Sequence, residues 1–90
     1  MNKETRKKLS ELHEKLVTIQ QEMDDVKTDI ELIKDDEQEK FDNMPESLQG
    51  GEKGENMQNG IDCLDNAFNA LDNAYNEIQD ALDEIDNSTN

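Results

Sequence analysis

From Met57 onward the apolar side chains fall at Met57, Ile61, Leu64, Phe68, Leu71, Tyr75, Ile78, Leu82 and Ile85, in alternating steps of four and three. On an α-helix that spacing gathers all of them into one stripe, the seam of a coiled coil. The first half keeps the same rhythm at Leu9, Leu12, Leu16, Ile19, Met23, Val26, Ile30 and Ile33. Two long amphipathic helices are predicted, helix one over about 4–41 and helix two over about 55–86, roughly 57 and 48 Å long at 1.5 Å per residue.

Between them, "FDNMPESLQGGEKGEN" collects the only proline and three of the four glycines. Pro45 biases Met44 away from helical geometry, so the chain turns over about 42–54. Ser47 to Gln49 can form a single helical turn before Gly50 and Gly51 break it. Residues 87–90 are expected to fray. The pattern predicts an all-α fold, an antiparallel two-helix coiled-coil hairpin forming one domain over 1–90.

One register makes the ends agree. It sets Leu9 beside Ile85, Leu16 beside Ile78, Met23 beside Leu71, Ile30 beside Leu64 and Ile33 beside Ile61. The flanking residues His13, Gln20, Lys27 and Lys34 then run along the edge that carries Asp65, Asp72, Gln79 and Asp86. Exposed ion pairs contribute only about 0–1 kcal/mol each, so such contacts select register more than they stabilise.

The other flank of helix two is smooth: Gly60, Ala67, Ala74 and Ala81 recur every seven residues. Small residues admit a second helix closely, and a lone two-helix seam is a thin core. Self-association into a helical bundle is the expectation, with a monomeric alanine-rich hairpin as the alternative.

Composition sharpens this picture. Of 90 residues only 31% are hydrophobic and three are aromatic, while the net charge is -15. Such a balance borders on disorder unless the apolar residues share one stripe, as they do here. All nine Lys and Arg lie at or before Lys53, leaving residues 54–90 with nine Asp or Glu and no basic side chain. The cluster Lys3, Arg6, Lys7 and Lys8 sits at the positive end of the helix-one dipole, where a hairpin would bring it beside Asp80, Asp83, Glu84 and Asp86. Direct nucleic-acid binding is not expected, because the net charge repels phosphate and no aromatic residues interleave with the basic ones.

The solvent side of helix two carries Asp62, Asn66, Asn69, Asn73, Asn76, Asp80 and Asp83. These types favour caps and turns over helix interiors, so helix stability alone does not account for them. Together with Asp65 and Asp72 they form a candidate acidic face, able to present carboxylates to the Arg and Lys of a nucleic-acid-binding protein. The plainer reading is a solvated face that keeps a small protein dispersed.

No catalytic set is visible. The lone histidine, His13, reads as a helix-flank residue far from the lone cysteine, Cys63, which reads as a small filler or an exposed thiol. Neither "DDEQEKFDN" nor "DCLDNAFN" has the pattern of a calcium loop, and no Cys/His set suits zinc, so no metal or cofactor is expected. With one cysteine and no long apolar run, a reduced, cytoplasmic setting without a membrane segment is the expectation. The turn is the other candidate: Phe41, Met44, Pro45 and Leu48, with Met57, either cap the end of the hairpin core or form a small hydrophobic knob or a pocket between subunits.

The stretch "EKFDNMPESLQGGEKGENM", followed by an acidic heptad helix, resembles small, largely uncharacterised acidic helical proteins of prophages and mobile elements in Gram-positive bacteria. The likeness covers about residues 31–86, and "FDNMPESLQ" is its distinctive part. It implies a mobile-element context without a settled activity. A further likeness, to secreted helical hairpins with a Trp-x-Gly turn, is opposed by Leu48, Gln49, Gly50 and Gly51, which include no Trp. The expected function is a non-enzymatic acidic protein of phage type that inhibits a host nucleic-acid-binding or defence protein through the anionic face of helix two. The alternatives are a self-assembling coiled-coil module, or an oligomer that binds a small ligand between subunits.

Overall fold

The computed structural model describes residues 1–89, and among these the regular structure is all helical. Helix α1 spans Lys3–Asp42, α2 is a single turn over Glu46–Gln49, and α3 spans Glu52–Thr89. Helix α1 opens where the Asn2 side chain accepts from the Thr5 N–H at 2.8 Å, satisfying one of the donors that every helix start leaves free.

The connection is short because two residues close it. Pro45 sets the entry to α2, and its carbonyl accepts from the N–H groups of Leu48 and Gln49 at 2.8 and 3.1 Å. The Gln49 amide then donates back to the carbonyls of Phe41 and Met44, at 3.0 and 3.1 Å, and the Phe41 carbonyl also accepts from the Met44 N–H at 3.1 Å. Gly54 completes the closure: a Cβ there would overlap the Gln49 backbone, so α2 rests directly on the first turn of α3.

Both ends of α3 extend past the predicted bounds. It begins at Glu52 because Glu52 and Glu55 favour the positive end of the helix dipole. Its far end does not fray over 87–89: the Ser88 and Thr89 hydroxyls donate to the carbonyls of Ile85 and Asp86, at 2.7 and 3.1 Å, and occupy two terminal acceptors. Asn90, also expected to fray, lies outside the described residues.

Helices α1 and α3 form a long extended pair, 68 Å by 14 Å by 14 Å. Cross-contacts climb α1 while descending α3: His13 meets Asp86, Gln20 meets Gln79, Lys27 meets Asp72 and Lys34 meets Asp65. On α3 the apolar stripe faces α1, with Ile61 and Leu82 only 6% and 3% exposed and the rest of the stripe half-buried.

Helix α1 departs from the predicted seam. Leu9, Leu16, Met23 and Ile30 face α3 as expected, but the second facing column is His13, Gln20, Lys27 and Lys34, of which Gln20 and Lys27 are buried. Leu12, Ile19, Val26 and Ile33 are 50%, 46%, 48% and 55% exposed, so Ile33 is not buried against Ile61. The helix is rolled by one column. The polar column prevails because it meets the aromatic residues: the Lys27 ammonium lies 5.2 Å from the ring centres of both Phe68 and Tyr75. There it gains cation–π attraction and an ion pair while its methylenes cover the rings.

Candidate functional site

The rolled helix gives the pair two unlike long sides. Along one runs a polar clamp. The Gln20 amide donates to the Tyr75 carbonyl at 3.3 Å and to Gln79 Oε1 at 3.0 Å, and Lys27 Nζ donates to Asp72 Oδ1 at 2.6 Å. Lys34 reaches Asp65 at 3.2 Å, and His13 Nε2 stands 3.1 Å from Asp86. The hydrogen bond to Asp72 holds the Lys27 ammonium above the usual lysine range, outweighing the desolvation that opposes it.

The clamp divides the candidate acidic face. Asp65 and Asp72 are held by lysines of α1 and take part in the helix–helix contact, which sets them apart from the other three. Asp62, Asp80 and Asp83 are exposed, and none takes part in an ion pair among the described residues. Asp62 and Asp83 accept only neutral amide hydrogen bonds, from Gln58 at 3.0 Å and Gln79 at 3.1 Å. Asp62 and Asp80 are five whole turns apart and point the same way, about 27 Å from each other. The asparagines between them at 66, 69, 73 and 76 are exposed on the same stripe.

The opposite side is apolar. The Leu12 column lies on the far side of the Leu9 column from His13, as the Ala67 column lies on the far side of Leu64 from Asp65. Because the His13 and Asp65 columns meet, the Leu12 and Ala67 columns share the other side. Four branched side chains of α1 thus stand beside Gly60, Ala67, Ala74 and Ala81, of which Gly60 and Ala81 are exposed and the other two half-buried. At the turn end this side deepens into a groove of about 700 Å³ lined by Met57, Gly60, Ile61 and Leu64 with Glu37 and Lys53 at its margin.

At the turn, Phe41 and Met44 are half-buried while Pro45 and Leu48 are exposed, Leu48 by 49%. The Gln49 amide ties the carbonyls of Phe41 and Met44 down, so the turn closes on itself and projects one large apolar side chain, Leu48.

His13 and Cys63 are not brought together: His13 sits at Asp86, and Cys63 is exposed about 35 Å away along α3. Among the described residues no group of three or more His, Cys, Asp or Glu is placed to hold a metal ion, and no helix is long and apolar enough to cross a membrane.

Sequence reasoning missed the uncovered Leu12 column. A signal for it exists, since Phe68 and Tyr75 stand seven residues apart with Lys27 as the one long cation at matching height. In comparisons with known proteins the chain matches no family model, no curated protein and no solved structure.

Proposed function

We propose that this protein is a non-enzymatic assembly module: an antiparallel coiled-coil hairpin that associates through its apolar side into a helical bundle and displays a rod of carboxylates outward. The observation that carries this reading is the uncovered column Leu12, Ile19, Val26 and Ile33. A chain that is only 31% hydrophobic leaves four branched side chains in register on one face, where exposure gains nothing for a monomer. The area agrees. A compact monomer of this mass exposes about 5,400 Å², whereas the helix pair exposes 6557 Å². The surplus, about 1,200 Å², resembles one partner's share of a substantial interface. Sedimentation equilibrium tests the reading: association at micromolar concentration is expected, and a monomer at high micromolar concentration overturns it.

A second reading concerns what the rod binds. Asp62, Asp80 and Asp83 lack a cationic partner within the chain and share a stripe with no basic residue. This supports engagement of a basic host protein, such as one that binds nucleic acid or acts in defence, with the assembly as inhibitor. The likeness to mobile-element proteins fits that role. Capture of the protein on an immobilised cationic nucleic-acid-binding domain, reversed by DNA, is the expected result, and indifference to DNA counts against it.

A further inference from the structure

We infer that the apolar side is covered by a second copy of this chain lying the same way round, so that α1 of each copy rests on the alanine column of the other's α3 and both turns sit at one end. This arrangement rests on the self-association proposed above and goes further, since it fixes which helix meets which.

Two self-complementary ways of stacking the face exist. With the copies reversed end to end, α1 meets α1 and α3 meets α3. With both turns at one end, each α1 meets the other copy's α3. Shape favours the second. Leu12, Ile19, Val26 and Ile33 form a ridge, while Gly60, Ala67, Ala74 and Ala81 form a shallow trough at the same seven-residue spacing. Ridge against trough gives both contacts one interaxial distance. Ridge against ridge would hold one pair of helices apart and leave the alanine pair unfilled.

Charge favours the same choice. Beyond Gly54, α3 contains nine acidic residues and no basic one, so α3 against α3 brings together two helices of like charge. On α1 the outer border of the ridge runs Lys8, Lys15, Glu22 and Asp29, and on α3 that of the trough runs Cys63, Ala70, Glu77 and Glu84. With the turns together, Lys15 of one copy stands level with Glu84 of the second, while Glu22 stands level with Glu77, so one opposite-charge pair forms at the end of the rod away from the turns. Size permits it: the whole side of the rod, 68 Å by 14 Å, offers on the order of 950 Å² per copy, the ridge and trough taking about half of its length, against about 800 Å² per partner in a stable interface.

Gly50 supplies the test, because a Cβ there meets nothing within 4 Å and its backbone is in the ordinary right-handed region. The variant Gly50→Cys on a Cys63→Ser background carries one spin label per chain at the turn, and pulsed dipolar spectroscopy measures the distance between labels. A separation within about two interaxial spacings, roughly 20 Å plus the label arms, is expected. A separation approaching the 68 Å length of the rod overturns the arrangement while leaving association standing. Absence of any dipolar signal together with a monomeric sedimentation profile overturns both.

The double variant Ile19→Glu with Val26→Glu checks the face itself. It should weaken association by more than about a hundredfold, since two charges would be buried against the trough. Asn73→Lys, on the outward stripe, should leave association unchanged. Full association by the double variant, at the same label distance, assigns the contact to another face and overturns the inference.

Discussion

Lys27 reaches across the helix pair to Asp72 at 2.6 Å, in the gap between the rings of Phe68 and Tyr75. A lysine therefore does what the periodicity assigns to an apolar residue. Its pKa is raised above the ordinary 10.5 by the bond to Asp72, so its contribution to stability is complete below the unfolded-state value and is lost as pH climbs through the folded one. The melting temperature should fall more steeply above about pH 10.5 in the wild type than in Lys27→Met, which keeps the stem over the rings and lacks the charge. Parallel melting curves for the two proteins up to pH 11.5 would show that the ammonium contributes nothing.

Ile61 and Leu82 are the two buried apolar residues among those described, and truncation of either should cost more than truncation of any other seam residue. Ile61→Ala or Leu82→Ala is expected to cost about 2–4 kcal/mol, whereas Leu12→Ala, at a half-exposed position, should cost less than about 1 kcal/mol in dilute monomer. Leu71→Asp should abolish helicity, because it places a carboxylate in the same thin core. Urea unfolding followed by circular dichroism ranks them. Equal losses for Leu12→Ala and Ile61→Ala in the monomer would contradict the observed roll of α1.

Two glycines of α3 should respond to alanine with opposite signs. Gly60 has open space around its missing Cβ, so Gly60→Ala removes backbone entropy from the unfolded chain and should stabilise by about 1 kcal/mol. A Cβ at Gly54 runs into the Gln49 backbone, so Gly54→Ala must push α2 off the helix and should destabilise by about 1–3 kcal/mol. Thermal melts of the two variants settle the pair, and a stabilised Gly54→Ala would mean that α2 does not dock on α3.

Much of this was legible before any coordinates. Helix α3 has one apolar stripe, and every residue of it from Met57 to Ile85 faces α1. The turn was legible because Pro45 biases Met44 away from helical geometry and the Gly50–Gly51 pair weakens any helix that runs into it. The roll of α1 was not. Leu9, Leu16, Met23 and Ile30 are flanked by an apolar column on one side and by His13, Gln20, Lys27 and Lys34 on the other, and hydrophobicity alone selects the apolar one. The choice is made by partners more than 40 residues away in the chain: the rings of Phe68 and Tyr75 and the carboxylate of Asp72. The lysine partners within the acidic face are hidden for the same reason, since Asp65 and Asp72 look free until Lys34 and Lys27 are set opposite them.

The division of the acidic residues leads to a test of the outward face. If Asp62, Asp80 and Asp83 hold a cationic partner, the triple change to Lys should abolish capture while leaving helicity near that of the wild type, because all three point away from α1. Asp65→Asn should leave capture unchanged, since Lys34 already occupies that carboxylate. Exposed charge pairs are screened over about 10 Å at 0.1 M salt, so capture should weaken steeply between roughly 50 and 200 mM. The same salt should act oppositely on the protein itself: with a net charge of -15 its self-repulsion is relieved, and the melting temperature should rise over that range. Binding lost while stability is gained excludes unfolding as the cause of the loss. A partner indifferent to salt and to the three aspartates, yet released by Leu48→Ser, would place recognition at the turn and remove the acidic face from the mechanism.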